Sequence, residues 1–265
     1  MDLGLKDKVA LVTGASMGIG YATAHALASE GAKVSICGRN PERLREAARR
    51  ITDETGAELL PVQADCSQPE EVKRMVETVV DHFGRVDILV NNAGAAPGGQ
   101  ILDLAEEHWY ASLNLKFMGY VRCMKAVIPH MLEQGGGSII NIVGNDGVKP
   151  SWWEVTAGAS NAADLNLTLS LAEQFGKNNI RVNAINPGPA NTQRWDWLEE
   201  SFARDKQISR EEAKKRTIKS IPLGRICEPK DVADLAAFLA SERATYLNGA
   251  IINLDGGQRK AIMDW

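Results

Sequence analysis

The first chemistry this sequence offers is anion binding, and it comes from glycines rather than from charged side chains. Residues 8–20 read KVALVTGASMGIG: 9–12 are a short apolar run, Thr13 and Gly14 end it, and Gly18 and Gly20 follow. An apolar run without polar alternation predicts a strand buried on both faces, as in a parallel sheet. The glycines allow a tight turn and let backbone N–H groups approach a ligand. Residues 21–30 then predict a helix. Strand, glycine turn and helix N-terminus make a phosphate site, because unpaired N–H groups and the helix dipole face the anion. The spacing is not the common G-x-G-x-x-G, and any strand-to-helix junction also uses such turns.

The elements that must position this turn alternate along the chain. Further strands are predicted at 33–37, 59–63, 86–90, 138–143, 180–185 and 250–254. Helices are predicted at 41–50, after Pro69, and at 109–132, 157–175 and 231–240. This rhythm predicts a parallel sheet with helices on both faces. No composition break or repeat divides residues 1–265, so they are read as one domain. The departure is the stretch at about 189–226, which carries Trp195, Trp197 and a charged run at 210–216. It is predicted to be helical and to lie as a lid over the carboxyl ends of the strands, where open α/β sheets bind ligands.

Composition removes several function classes. With 44% hydrophobic and 24% charged residues the chain can build a sizeable core and is not disordered. A net charge of −4 lacks the basic footprint of a nucleic-acid binder. No apolar run approaches the roughly 18 residues of a membrane span. Residues 1–8 lack the apolar block of a signal peptide, so a cytoplasmic protein is expected. Cys37, Cys66, Cys123 and Cys227 stand apart without ligand spacing, which predicts reduced thiols and no metal site.

Four motifs in order resemble the short-chain dehydrogenase/reductase family. They are Thr13-Gly14-x-x-x-Gly18-x-Gly20, Asn91-Asn92-Ala93-Gly94, Pro187-Gly188 with Thr192, and Asn248-Gly249 followed by Leu254-Asp255-Gly256-Gly257. Order and spacing agree over nearly the whole chain. The resemblance implies an α/β fold: a single Rossmann-type, doubly wound parallel sheet of seven strands with helices on both faces and a helical lid insertion. It implies a nicotinamide dinucleotide, a small-molecule substrate, and a homotetramer or homodimer paired through the helices at 109–132 and 157–175. Gly14, Ser16, Met17, Gly18, Ile19 and Gly20 would take the pyrophosphate. Asp65 would accept from the adenine amino group, with Cys66 lending its backbone N–H. Asn91, Ala93 and Gly94 would let the chain pass close to adenosine. Ile142 would border the nicotinamide ribose, and Thr192, after Pro187 and Gly188, would hold phosphate or carboxamide. At the end of the second strand an acidic residue would grip the 2′-hydroxyl of NAD. This chain has Gly38 and then Arg39, whose guanidinium can pair with a 2′-phosphate, so NADP is expected over NAD.

The catalytic positions depart from the family pattern. A serine, a tyrosine and a lysine four residues after the tyrosine handle the proton in such proteins, with an upstream asparagine completing a relay. Ala159-Ser160-Asn161-Ala162-Ala163 puts Asn161 at the lysine position, Ala157 at the tyrosine position and Gly144 at the serine position. Only Asn114 matches. No tyrosine lies between Tyr120 and Tyr246, and no lysine between Lys149 and Lys177. Alanine and glycine transfer no protons, and an amide carries no charge with which to shift a neighbour's pKa. Asn161 would still reach the nicotinamide ribose, and Gly144 would open room above the nicotinamide. Asp146 and Glu154 are the nearby carboxylates and the candidate proton carriers if burial raises their pKa. Trp152 and Trp153 are expected as pocket wall, suiting a bulky or cyclic substrate. Three readings stand: an oxidoreductase with an altered proton path, a non-redox lyase, hydratase or isomerase on the same scaffold, and an inactive dinucleotide-binding protein. The tail at 258–265 either reaches a neighbouring subunit or frays.

Overall fold

The computed structural model describes residues 2–259. Most of the tail lies outside the described residues. Seven parallel strands form one sheet: β1 (Val9–Thr13), β2 (Lys33–Gly38), β3 (Leu59–Gln63), β4 (Ile88–Asn91), β5 (Gly137–Ile142), β6 (Ile180–Pro187) and β7 (Ile251–Leu254). Their order is β3-β2-β1-β4-β5-β6-β7. The winding reverses between β1 and β4, and a crevice opens at the carboxyl ends of strands where that happens. The apolar run of β1 is buried along its length. Ala10 and Val12 pack on one face, Val9 and Leu11 on the other.

Helices α1 (Gly18–Ser29), α2 (Pro41–Thr55) and α9 (Pro229–Ala240) cover the first face. Helices α3 (Pro69–Phe83) and α5 (Met118–Glu133) cover the second, joined by the C-terminal part of α6 (Val155–Phe175). Local chemistry sets their ends. Asn40 caps α2 by accepting from the Arg43 N–H at 3.0 Å, Pro41 opens the helix, and Gly56 closes it at φ 71°. Leu44, Ala47, Ala48 and Ile51 recur at helical spacing and form its buried face.

The helix predicted at 109–132 is three pieces: α4 (Glu106–Ser112), a π-helical turn at Leu113–Phe117, and α5. A π turn inserts one residue into the helical ladder and re-aims the side chains around it. Arg122 supports it, donating to the Asn114 carbonyl at 2.8 Å.

The 189–226 stretch holds α7 (Gln193–Asp205) and α8 (Arg210–Ser220). Thr192 and Ser209 cap them, accepting from the Trp195 and Glu212 N–H groups at 3.2 and 3.1 Å. Arg210 fastens α8 to α7 through Asp196, Glu199 (3.1 Å) and Glu200 (2.8 Å). Trp153, Trp195, Phe202, Ile221 and Ile226 form a separate apolar core beneath the pair. Trp153 is therefore core rather than pocket wall: it meets Phe202 edge-on at 5.3 Å, and its indole N–H donates to Asp205 at 2.9 Å. Trp152 is half-exposed, with the Lys206 ammonium 4.2 Å from its ring centroid. Among the described residues no helix is long and apolar enough to cross a membrane.

Candidate active site

The glycine turn is tied down before it can bind anything. Asn92 donates from its side chain to the Thr13 and Gly14 carbonyls at 2.9 and 3.1 Å. The Thr13 hydroxyl accepts from the Asn92 and Ala93 N–H groups at 2.9 and 3.1 Å. These bonds lock the end of β1 to the end of β4. Gly14 and Gly18 adopt φ 63° and 59°, a region that favours glycine. A Cβ on Gly14 would stand 2.9 Å from Ala93 Cα.

Above this junction a cleft of about 780 Å³ runs past Ser16, Met17, Gly18 and Ile19 to Gly38 and Arg39. Asp65, Cys66, Ala93 and Gly94 line it from the strand ends, and Thr192 and Trp197 from the insertion. The N-terminus of α1 faces it with no side-chain cap and no acidic residue in its first turn. Free N–H groups and the positive end of the dipole are thus left for an external anion, and the residues fit a dinucleotide pyrophosphate. Arg39 is exposed on the rim. Asp65 spends one carboxylate oxygen on the Ser67 N–H at 2.8 Å, leaving the other free. The Cys66 thiol lies against Cys123 and Cys37, so the structure gathers three of the thiols that are distant in sequence.

Two expected cofactor residues are placed elsewhere. Asn91 is wholly buried inside the sheet, donating to Asn141 at 2.9 Å, and its neighbour Asn92 faces the cleft instead. Side chains alternate along a strand, so one residue decides which of two asparagines faces the ligand. Gly20 does not line the cleft. Its Cβ would meet the Gly14 carbonyl at 2.4 Å, so it is glycine to let α1 close on the turn.

A smaller inner pocket of about 160 Å³ adjoins the cleft, sharing Ile19, Asn92, Gly94, Thr192 and Arg194 as walls. Ile142, Gly144, Asp146, Glu154, Ala157, Asn161, Pro187 and Gly188 line it, with Lys116 and Tyr120 from the π turn and α5. Asn161 donates its amide N–H to Asp146 and accepts from the Lys116 ammonium. Lys116 also donates to the Val143 carbonyl at 3.3 Å. The room expected above Gly144 is taken: a Cβ there would stand 2.6 Å from the Asn161 amide nitrogen and 2.8 Å from an Asp146 oxygen.

Glu154 stands at the N-terminal end of α6, one turn before Ala157, without capping it through its side chain; it is 5% exposed, and its Oε2 has no hydrogen-bond partner. Burial, helped by the negative charge of Asp146, pushes its carboxyl up to about 8, against the pull of Arg194 and Lys116. Asp164, on α6 and also buried, has both oxygens unpartnered, and burial raises it to about 7 against the opposing charge of Lys116. Burial lowers the Lys116 ammonium in turn. The Tyr120 hydroxyl donates to the Ile142 carbonyl at 2.6 Å, and burial pushes its pKa well up. It is a strut between helix and strand.

Asn114 is not in the inner pocket. Its oxygen accepts from Arg122 at 2.6 Å and its nitrogen reaches the Ser67 carbonyl at 3.5 Å, beside a separate outer cavity. The π turn brings Lys116, two residues on, to the pocket instead. The signal for Lys116 was a single cation in the otherwise apolar stretch 115–118. Arg194 was also missed. From the first turn of α7 it stands between cleft and pocket, donating to the Ala96 carbonyl at 3.3 Å.

Comparison with known proteins agrees with this geometry. The family described as "Enoyl-(Acyl carrier protein) reductase" matches residues 14–259. The 3-oxoacyl-[acyl-carrier-protein] reductase FabG of Thermotoga maritima is 35% identical over 253 residues, 96% of this chain and 98% of that protein. L-sorbose reductase from Gluconobacter frateurii, solved with NADPH and L-sorbose, is 38% identical with a TM-score of 0.92, covering 98% of this chain and 99% of that one. Actinorhodin polyketide ketoreductase, solved with NADPH, is 33% identical with a TM-score of 0.92, covering 95% and 97%. A match that spans the glycine turn, both asparagines and the last strand in one register leaves a single conclusion: the chain belongs to the short-chain dehydrogenase/reductase family.

Proposed function

We propose that this protein is an NADP-dependent reductase of carbonyls or activated double bonds in which a carboxylic acid replaces the family's tyrosine. The observation that carries the reading is Glu154, buried, unpartnered at Oε2, and set in the wall of a pocket that adjoins the dinucleotide cleft. Ala157, Asn161 and Gly144 hold the places of tyrosine, lysine and serine, so the proton must come from another group. Glu154 stands one helical turn from Ala157.

The uncapped N-terminus of α1 would hold the pyrophosphate, Arg39 the 2′-phosphate, and Asp65 the adenine amino group. Thr192 and Asn161 would fix the nicotinamide end. When bound, the reduced cofactor supplies a hydride. Glu154, protonated at neutral pH, would donate its proton to the substrate oxygen or carbon that becomes basic as the hydride arrives. Asp146 orients Asn161, and its charge adds to the burial that keeps Glu154 protonated. The α7–α8 pair would act as lid, with Trp195 on the substrate side and Trp197 towards the cofactor. A homotetramer or homodimer paired through α4–α5 and α6 belongs to the same reading, supported by exposed Tyr110, Met118, Leu132 and Leu169 on those helices. So does a cytoplasmic setting, which suits four free cysteines.

The test is NADPH oxidation across a panel of ketones, quinones and enones. Turnover with at least one class is expected. Substrate conversion with no change in nicotinamide absorbance would replace this reading with the non-redox one. Tight NADPH binding with no conversion would replace it with the inactive-binder one.

A further inference from the structure

We propose that Lys116 is the working cation of the site, donating to a ligand oxygen where cleft and pocket meet and holding the Asn161 amide in one orientation. The proposal rests on the reductase reading, and it assigns to the π turn a role that α6 cannot fill.

Three observations converge on Lys116. The first is its placement. It is almost wholly buried, yet its side chain lines the inner pocket and packs on Gly94, where a Cβ would approach its Cγ to 3.0 Å. Gly94 lines the cofactor cleft as well, so the lysine stem passes beside the junction of the two cavities and carries its ammonium to Val143 and Asn161 on the inner-pocket side. The second is its donor count. An ammonium has three N–H donors. Val143 and Asn161 take two. The third is left for a ligand oxygen. The third observation is the chain of contacts it starts. Lys116 donates to the Asn161 oxygen, and the Asn161 nitrogen donates to Asp146. A cation at one end and an anion at the other fix the amide in one orientation. They form an ion pair bridged by an amide, in which the charge of Asp146 favours the ammonium against the downward pull of burial.

The bridge also explains Gly144 and Asn161 together. A side chain on Gly144 would collide with the bridging amide. A second ammonium on α6 at Asn161 would face Lys116 inside the same buried space. The residues at these positions suit one another once the cation comes from the π turn.

The ligand group is a hydroxyl or carbonyl oxygen. Two sources offer one, the sugar of the cofactor and the carbonyl of the substrate, and binding measurements separate them. NADPH affinity, KM for the best ketone, and the pH profile of kcat would be measured for wild type, Lys116→Met, and the double exchange Lys116→Asn with Asn161→Lys. Loss of a hydrogen bond from a charged donor is worth about 10- to 100-fold in binding. If the sugar is the source, Lys116→Met weakens NADPH by that factor. If the substrate is the source, KM rises by it and NADPH binding holds. In either case the alkaline limb of the pH profile moves to higher pH, because the cation that favours ionised Glu154 has gone. The exchange keeps both side chains in the same space and recovers most of the loss, and it stays readable if Lys116→Met fails to fold. The proposal is overturned if folded Lys116→Met keeps NADPH affinity, KM and the limb within about threefold of wild type. It is equally overturned if the folded exchange variant recovers nothing. Wild-type protein that binds no NADPH would instead overturn the reductase reading, before Lys116 is touched.

Discussion

Glu154→Gln should lower activity and raise stability, and the size of each change follows from one buried carboxyl. Burial moves Glu154 from an ordinary 4.5 to about 8. Between those values the folded protein keeps a proton that the unfolded chain has released. Stability therefore falls as pH rises through that window and levels off above it. At 1.36 kcal/mol per pH unit the full penalty is about 5 kcal/mol by pH 9. Glutamine fills nearly the same volume and never ionises, so the variant escapes the penalty. Thermal melts should show little difference at pH 4.5 and a gap that widens to several degrees in favour of Glu154→Gln at pH 9. Its kcat should drop by about 10²–10⁴, the usual contribution of a positioned acid. Wild-type reduction should be flat below pH 8 and fall above it, and that limb should vanish in the variant. A limb near pH 8 that survives in Glu154→Gln, or a stability gap that does not grow with pH, would refute the assignment of the proton to this residue.

Other perturbations have equally definite outcomes. Asp164→Asn should raise stability by an amount that grows as pH rises from the ordinary carboxylate value of 3.8 to about 7, where burial holds Asp164, and stays level above that, while leaving kcat within a few-fold; melts across that range and up to alkaline pH check it. Arg39→Asp should weaken NADP roughly 10- to 100-fold and improve NAD relative to it, measured by calorimetric titration of both. Gly144→Ser, a change towards the family pattern, should lose activity, because its Cβ meets the Asn161 amide at 2.6 Å; steady-state rates and a melt decide it. Thr13→Val should weaken cofactor binding by freeing the Asn92 and Ala93 N–H groups that hold the glycine turn, read in the same titration.

The fold was legible because its signals are local and repeated. Apolar runs such as 9–12 cannot sit at a surface, whereas the helix predicted at 41–50 stops short: α2 continues to Thr55, where Gly56 closes it at positive φ. The cofactor cleft was legible for the same reason, since backbone groups in consecutive residues build most of it. The inner pocket was not. Its Lys116 and Asn161 lie 45 residues apart and meet only through the π turn, which adds a residue that a 3.6 period does not contain. That added residue is why Asn114 turns to Arg122 and Lys116 turns inward. Trp153 misled for a different reason: its ring serves a core built from the insertion, whose packing no local pattern encodes.

Trp153 adjoins Glu154 in the chain, and its ring is clasped by Phe202 and Asp205 on α7. Arg210 welds α7 to α8, so the roof has no soft joint between its two helices. An outward swing of this plate must tear Trp153 from its socket or pull the adjoining backbone along. On the proposed reading the acid's backbone is coupled to α7 through Trp153, so a movement of the roof would carry the proton donor with it.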